Sequence, residues 1–589
     1  MKKVISGNEA VAWGVYEAGC KVAAAYPGTP STEILETISK FKNEIYCQWA
    51  CNEKVAAEIA AGAAIGGVRA FAAMKHVGVN VAADPLFTMG YAGVNAGFVI
   101  VSADDPGCHS SQNEQDNRWY APHAKLIMLE PTDAQECKDF TVAAFQLSEQ
   151  FDTPVFLRMT TRICHSKGIV TKGIKQASPI VPYVRKADKY AMLPGVARNR
   201  HLARENILKD VEKYASICPY NRIEWAKDRK IGIITNGISY QYAKEVFGTE
   251  ASYLKLGLTY PFPKELVSRF ASQVETLYVI EEGDPFLEGM VKELGFSCIG
   301  KEKIPMCGEL NAQIIRESLL GEHKHNLFQL SSRVPARPPV LCAGCPHRGF
   351  FFALSKHRDK IVPVGDIGCY SLGVNAPFFG FDYSICMGSG FSSLIGLQKA
   401  LEAQHDSRKA FGMLGDSTFY HSGITSLIDI VTTESNVIAC VLDNSITAMT
   451  GHQENPGTAY NLMGYPSPSV DIETVVRAVG LDDDHIRIVD PLDITSVEQA
   501  IEAGYAAHGP FVIITKRPCA LIKEVAKRNA GVYCKVNPEL CKSCKACMKI
   551  ACPAISFVDG KAVIADQVSC TGCGLCMSQC KFGAIERVG

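Results

Sequence analysis

Nine of the chain's 24 cysteines fall between Cys534 and Cys580, and eight of those nine form two runs. The second run is Cys570-x2-Cys573-x2-Cys576-x3-Cys580. The first is Cys541-x2-Cys544-x2-Cys547, followed after four residues rather than three by Cys552-Pro553. Thiolates at this spacing hold [4Fe–4S] cubanes: three close cysteines take three corners of one cluster, and the fourth of each run reaches the other. That assigns Cys541, Cys544, Cys547 and Cys580 to one cluster, and Cys570, Cys573, Cys576 and Cys552 to the second. The extra residue before Cys552, and Lys581 where a proline usually follows, depart from the pattern. Zinc knuckles are the alternative, but eight cysteines in two such runs with no histidine suit two clusters better. Cys534 stands outside the motif and reads as structural. A two-cluster module stores and passes electrons; it does no chemistry on a substrate itself.

A second constellation lies upstream. Gly415-Asp416-Ser417 follows the apolar run Ala410 to Leu414, and Asp443-Asn444 follows the next apolar run, with 25 residues between Ser417 and Asp443. A strand-end carboxylate and an amide oxygen from the next strand's end are hard ligands suited to Mg²⁺, which wants oxygen in octahedral geometry. The pattern resembles the thiamine-diphosphate signature, an opening Gly-Asp-Gly and a closing Asn. That resemblance implies Asp416, the Asn444 side chain and the Ile446 carbonyl as Mg²⁺ ligands, with Gly415 and Ser417 beside the diphosphate. Ser417 stands where the second glycine would be, and Asp443 where the first asparagine would be. On its own a Gly-Asp-Ser is a turn. Gly388-Ser-Gly390 lacks the acidic partner that a dinucleotide loop needs.

Thiamine diphosphate also needs a glutamate against its aminopyrimidine ring. Asn52-Glu53-Lys-Val-Ala56, opening an Ala/Gly-rich run, has the required form. A carboxylate there would hydrogen-bond the ring nitrogen and so let the cofactor release its own C2 proton. Taken alone, Glu53 is equally a helix N-terminal charge, and Glu58 would point elsewhere. The stretch from Val55 to Met74 reads as one buried helix, and its Glu58 and Arg69 argue against a membrane span.

Longer strings carry a family resemblance: Tyr26-Pro-Gly-Thr-Pro-Ser31, Ala73-Met-Lys-His-Val-Gly-Val-Asn80, Asp104 through Arg118, Cys342-Ala-Gly-Cys-Pro-His-Arg348, Gly365-Asp-Ile-Gly-Cys-Tyr370 and Thr447 through Gln453. With these the chain resembles, over essentially its whole length, the thiamine-diphosphate-dependent 2-oxoacid:ferredoxin oxidoreductases, and among them the large (alpha) subunits of the indolepyruvate enzymes. The resemblance implies an anaerobic reaction. An aryl pyruvate (indolepyruvate, with phenylpyruvate and hydroxyphenylpyruvate), coenzyme A and oxidised ferredoxin give aryl acetyl-CoA, CO₂ and reduced ferredoxin. It implies a smaller beta subunit as partner, in a hetero-oligomer with two copies of this chain. It places Thr29 and Arg118 near the keto acid, where the plainer readings are a turn residue and a surface ion pair. His76 and His421 become cofactor contacts instead of hydrogen-bonded loop histidines. Cys342, Cys345, Cys369 and Cys519 match the layout of a third [4Fe–4S] cluster, with buried free cysteine as the alternative.

The elements that must position these residues follow from composition and pattern. At 589 residues the chain is several domains long, and 47% apolar with 21% charged residues is globular composition. Sixty Lys and Arg against 61 Asp and Glu leave a net charge of −1, which recommends neither nucleic acid nor a membrane surface. Asn8 and Glu9 interrupt any apolar run after Lys2 and Lys3, so no export signal is expected and the location expected is cytoplasmic. Apolar runs such as Phe98 to Ser102, Ile231 to Thr235, Leu277 to Glu281, Val437 to Leu442 and Phe511 to Thr515 predict strands alternating with helices.

The expected fold class is multidomain α/β. A pyrimidine-binding-type thiamine-diphosphate domain spans 1–175, a basic crossover with a surface helix 176–228, and a smaller α/β domain of transketolase C-terminal type 229–320. After a linker from Gly321 to Pro339 come a diphosphate- and Mg-binding three-layer α/β/α domain over 339–525 and a two-cluster ferredoxin-like α+β domain over 531–589. Cofactor sites are expected where the two large α/β domains meet. Glu281 to Pro285 reads as a strand-end loop used for docking. Three competing functions stand beside the main one: a pyruvate or other 2-oxoacid enzyme, a non-oxidative thiamine decarboxylase with no use for the tail, and a pure electron-transfer subunit.

Overall fold

The computed structural model describes residues 2–177, 180–322 and 338–589. They fall into two units divided at Ser331/Ser332. Most of the segment read as a linker, including His323, His325, Ser331, Ser332 and Pro335, lies outside the described residues.

In the first unit, runs of small and β-branched residues build a seven-stranded sheet. Its strands lie in the order Leu258–Tyr260, Ile127–Leu129, Val155–Thr160, Phe98–Asp104, Ala70–Lys75, Val22–Ala25 and Tyr46–Trp49. All neighbours run parallel except Leu258–Tyr260, which is antiparallel to Ile127–Leu129. The central strands are buried along their whole length, as parallel strands covered by helices on both faces must be. A second, four-stranded sheet orders Thr276–Ile280, Ile231–Asn236, Ser252–Leu256 and Arg222–Glu224. Two segments therefore cross the boundaries expected from sequence. The strand Leu258–Tyr260 lies in 229–320 yet completes the first sheet, and Arg222–Glu224 lies in the crossover yet edges the second. The crossover also forms the 22-residue helix Pro194–Ala215, opened by proline in its first turn.

The stretch from Val55 to Met74 is not one helix. The helix Glu53–Gly66 ends at Gly67, whose φ of 99° only glycine adopts freely, and the strand Ala70–Lys75 follows. Side-chain space also demands glycine there: a Cβ at Gly67 would lie 1.8 Å from the Val181 carbonyl oxygen.

In the second unit a five-stranded, wholly parallel sheet orders Ile361–Val364, Lys409–Gly415, Ile438–Asp443, Phe511–Lys516 and Ile486–Val489. In such a sheet the loops beyond the carboxyl ends of the strands form the ligand-binding edge. Asp416 and Asn444 are both in that position. The tail is a small α+β fold in which Tyr533–Val536 pairs with Ile585–Val588 and Ile555–Val558 with Lys561–Ile564, all antiparallel. Among the described residues, no helix is long and apolar enough to cross a membrane.

Candidate functional site

In the first unit Glu53 opens the helix Glu53–Gly66, capped by Asn52, whose side chain accepts from Val55 N at 2.9 Å. Glu53 is buried, while Glu58 is exposed and paired with Lys54 one turn back. The Glu53 carboxylate lies across Gly78, where a Cβ would come within 2.6 Å of Oε1 and 2.7 Å of Cγ. Gly78 belongs to the short helix His76–Val81, which begins where the strand Ala70–Lys75 ends. His76 is fully buried, and its Nε2 faces the main-chain and side-chain oxygens of Asn113 at 3.2 Å each. A carbonyl can only accept, so the proton sits on Nε2. Nδ1 then has no partner among the described residues. Burial pulls the imidazole pKa below its ordinary value, which keeps the ring neutral.

Asn117, which the sequence reading passed over, fixes this corner. Its Nδ2 donates to His76 O at 3.0 Å and to Ser102 Oγ at 2.9 Å. Thr29 is half-buried in a turn held by Gly28 N to Thr32 Oγ1 at 3.0 Å and Ser31 Oγ to Gly28 O at 2.9 Å. The Lys75 stem lies against that turn, and its Nζ donates to Ser110 O at 2.6 Å.

Arg118 is placed differently from its sequence reading. It is completely buried. Its donors go to Asp116 and Glu281, and to the carbonyls of Glu282 at 2.7 Å and Asp284 at 2.9 Å. The loop from Glu281, read as a docking element, is thus spent on holding an arginine that is 163 residues away in sequence. The ion pair foreseen as a surface contact is a core one.

In the second unit Asp416 follows the strand Lys409–Gly415 and is buried. Burial, and then neighbouring Asp443, push its carboxyl up to about 7, against hydrogen bonds from Asn455 and the Ser417 and Ile446 backbones. Asn455 Nδ2 lies 3.0 Å from Asp416 Oδ2, a contact the sequence reading missed. Asp416 pairs with no lysine or arginine among the described residues. Asn444 Oδ1 accepts from Ile446 N at 3.2 Å, so Asp416, Asn444 and Ile446 converge on one turn. Asp416, which has no such partner, and the neighbouring Asp443, which has Lys516 beside it, stand with an amide oxygen as a donor set that fits a hard divalent ion. Ser417 Oγ meets Thr447 Oγ1 at 2.9 Å. Gly415 lets the Tyr370 ring approach, since a Cβ there would sit 2.8 Å from Tyr370 Cε1. His421, buried in the π-turn Phe419–Gly423, has Nδ1 3.0 Å from Ser422 Oγ.

The cysteines gather into three groups. One cavity is lined by Cys541, Cys544, Cys547 and Cys580, and another by Cys552, Cys570, Cys573 and Cys576 together with Cys534. Cys534 N donates to Cys570 Sγ at 3.3 Å, and Ala584 N donates likewise to Cys580 Sγ at 3.3 Å. Such N–H···S bonds are among the contacts that tune a cluster's potential. In the third group burial, and then Cys519 and Cys342, push the Cys369 thiol up to about 12. Cys345 is raised to about 12 by burial, with Cys369 and Cys342 as electrostatic neighbours. Cys519 N donates to Asn444 O at 2.8 Å, tying this group to the Asp416 turn. Nowhere among the described residues do three Cys, His, Asp or Glu side chains converge as tightly as one bare ion requires. A cubane, with an iron at each liganded corner, takes its thiolates further apart than a tetrahedral zinc does.

Comparison with known proteins accords with this division. Residues 13–204 match the family model described as pyruvate flavodoxin/ferredoxin oxidoreductase, thiamine diP-bdg. Residues 366–515 match thiamine pyrophosphate enzyme, C-terminal TPP binding domain, and residues 563–586 match a 4Fe-4S binding domain. The indolepyruvate oxidoreductase subunit IorA of Archaeoglobus fulgidus is 39% identical over 99% of this chain and 97% of its own length. That of Pyrococcus horikoshii is 38% identical over 100% and 97%. A solved 2-oxoglutarate:ferredoxin oxidoreductase from Magnetococcus marinus aligns with a TM-score of 0.48 and 18% identity, over 54% of this chain and 65% of that one. Identity at that level along nearly the entire length places the chain in the family of indolepyruvate oxidoreductase IorA subunits, thiamine-diphosphate-dependent 2-oxoacid:ferredoxin oxidoreductases that carry iron–sulfur clusters and work with a partner subunit.

Proposed function

We propose that this chain catalyses the CoA-acylating oxidative decarboxylation of aryl pyruvates, with indolepyruvate as its main substrate and ferredoxin as electron acceptor. The observation that carries the reading is the near-complete alignment with relatives named for indolepyruvate, at 38–39% identity, against 26% over 53% of the chain for a 2-oxoglutarate synthase subunit.

The roles follow from the chemistry of the side chains. When bound, thiamine diphosphate supplies the electron sink for decarboxylation. Glu53, whose carboxylate has the room it needs because position 78 is glycine, would accept a hydrogen bond from the ring nitrogen of the aminopyrimidine. Asp416, Asn444 and the Ile446 carbonyl hold Mg²⁺ against the diphosphate, with Gly415, Ser417 and His421 around it. His76 stays neutral and offers Nδ1 as an acceptor. Thr29 faces the keto acid. Cys541, Cys544, Cys547 and Cys580, and Cys552, Cys570, Cys573 and Cys576, would hold two [4Fe–4S] clusters, which when bound supply one-electron carriers. Cys342, Cys345, Cys369 and Cys519 would hold a third cluster near the Mg-binding turn, to which the Cys519 N–H is hydrogen-bonded. The smaller partner subunit completes a hetero-oligomer with two copies of this chain.

Purified with its partner subunit under anaerobic conditions, the chain is expected to reduce viologen, dependent on CoA, faster with indolepyruvate and phenylpyruvate than with pyruvate or 2-oxoglutarate. A preference for pyruvate would move the substrate assignment, and no reduction with any of the four would overturn the reading. The third cluster has its own check. Cys345→Ala is expected to lower iron by about four atoms per chain, one cubane's worth. Iron content equal to the parent's would remove that cluster.

A further inference from the structure

Arg348 is 2% exposed, on the helix His347–Leu354. Among the described residues its guanidinium meets only carbonyl oxygens: Cys342 O at 2.8 Å, Ile550 O at 3.2 Å, and those of Leu341 and Ala551. A buried charge needs a counter-charge, since carbonyl dipoles alone leave most of the desolvation cost standing. The chain's other deeply buried arginines obey this rule. Arg118 has Asp116 and Glu281, and Arg158 has Asp104 and Glu130. Arg204, also held by carbonyls, still has the Asp152 carboxylate as an electrostatic neighbour.

Burial pulls the Arg348 pKa down, and the groups that would oppose this most, were they thiolates, are four cysteines, Cys552, Cys345, Cys342 and Cys573. They belong to two different groups. Cys342 and Cys345 precede Arg348 on the same segment, and Arg348 N donates to Cys345 O at 3.2 Å. Cys552 and Cys573 line the tail cavity that Arg348 also lines. The two carbonyls it takes from the tail, Ile550 and Ala551, immediately precede Cys552, at the point where this run carries its extra residue. As neutral thiols these cysteines give the guanidinium no counter-charge. As ligands of a cubane they are thiolates, and the cluster with its ligands is an anion.

We infer that Arg348 is the counter-cation shared by two iron–sulfur sites of this chain, the tail cluster of Cys552 and Cys573 and the cluster of Cys342 and Cys345, and that its charge raises the reduction potentials of both. The sign follows from electrostatics. Reduction adds one negative charge to a cluster, and a fixed buried cation favours the more negative state. Net charge and hydrogen bonding are the levers that set such potentials. Arg348 is thus a tuning and positioning residue and touches no substrate.

The inference rests on the cluster assignments above, and the test separates the two. The complex with the partner subunit is prepared anaerobically as the parent, Arg348→Gln and Arg348→Lys. Iron content, Tm and the midpoint potentials from EPR-monitored redox titration are measured on each. With full iron, the Gln variant is expected to show two midpoints shifted to more negative potential, and the Lys variant, which keeps the charge, midpoints close to the parent's; a shift in only one would overturn the shared role. Midpoints in the Gln variant equal to the parent's at full iron would overturn the inference. If the Gln variant loses iron, the Lys variant decides: iron retained with lysine supports a need for charge, and iron lost from both means that packing, not charge, is the role. A parent holding only about eight irons, two cubanes, would remove the third cluster and with it the shared role, and so would overturn the inference.

Discussion

Replacing Glu53 by glutamine is expected to lower kcat by ~10²–10⁴, the usual contribution of a positioned proton-transfer group, with Tm and iron content unchanged. The substitution keeps the shape that lies across Gly78 and removes only the capacity to hold a proton at that atom. Glu53 sits in the first turn of its helix, where a charge also interacts with the helix dipole, but that is worth no more than about 1 kcal/mol at such a site. A purely structural Glu53 would therefore show a small change in Tm and an unchanged kcat. Gly78→Ala gives an independent arm. Its added methyl would lie 2.6 Å from Glu53 Oε1, so the carboxylate must move while its chemistry stays intact. This variant is expected to lose activity as well, and to regain none at higher substrate concentration. A Glu53→Gln enzyme with kcat within threefold of the parent would defeat the assignment.

What could be read from the sequence was chemistry whose partners are near in sequence or whose spacing is imposed by a ligand. The cysteine runs of the tail are the clearest case, because the cluster dictates the intervals. The strands Phe98–Asp104, Ile438–Asp443 and Phe511–Lys516 were legible as apolar runs because parallel strands are buried on both faces. Asp416 and Asn444 were legible because strand ends in a parallel sheet share one edge. The break at Gly66-Gly67 was not, since a helix of small residues passes without a change of composition into a strand of the same residues. The burial of Arg118 was not legible for another reason: its partner Glu281 comes from a distant segment, and no local pattern distinguishes a substrate-binding arginine from one that closes a core. Cys534, read only as structural, and Arg348, quoted without a role, stayed incomplete for the same cause. Each acquires meaning only when the fold brings two separate runs of cysteine around it.

Arg118→Met is expected to destabilise the first unit by about 3–5 kcal/mol, the cost of leaving buried carboxylates without their cation. The side chains of Asp116 and Glu281 are both buried and would lose that partner together. Although burial pushes the Asp116 carboxyl up, the charge of Arg118, helped by Arg158, outweighs it and holds the pKa down to about 2. A depressed pKa of this kind contributes stability at every pH above the unfolded value, about 4, and that stability is lost as pH falls toward 2. The parent should therefore lose this share of its stability between about pH 4 and 2, and Arg118→Met should lack it already at neutral pH. Arg118→Lys keeps the charge but not the fork that engages Asp116, Glu281 and two carbonyls at once, so it should recover only part of the loss. Kinetics make the contrast with a substrate-binding role. An arginine that grips the keto acid would, on replacement, raise KM severalfold at unchanged Tm. The arrangement found here requires the reverse: a lowered Tm, and in the fraction that stays folded a KM for the 2-oxoacid close to the parent's. A raised KM at the parent's Tm would return Arg118 to the substrate.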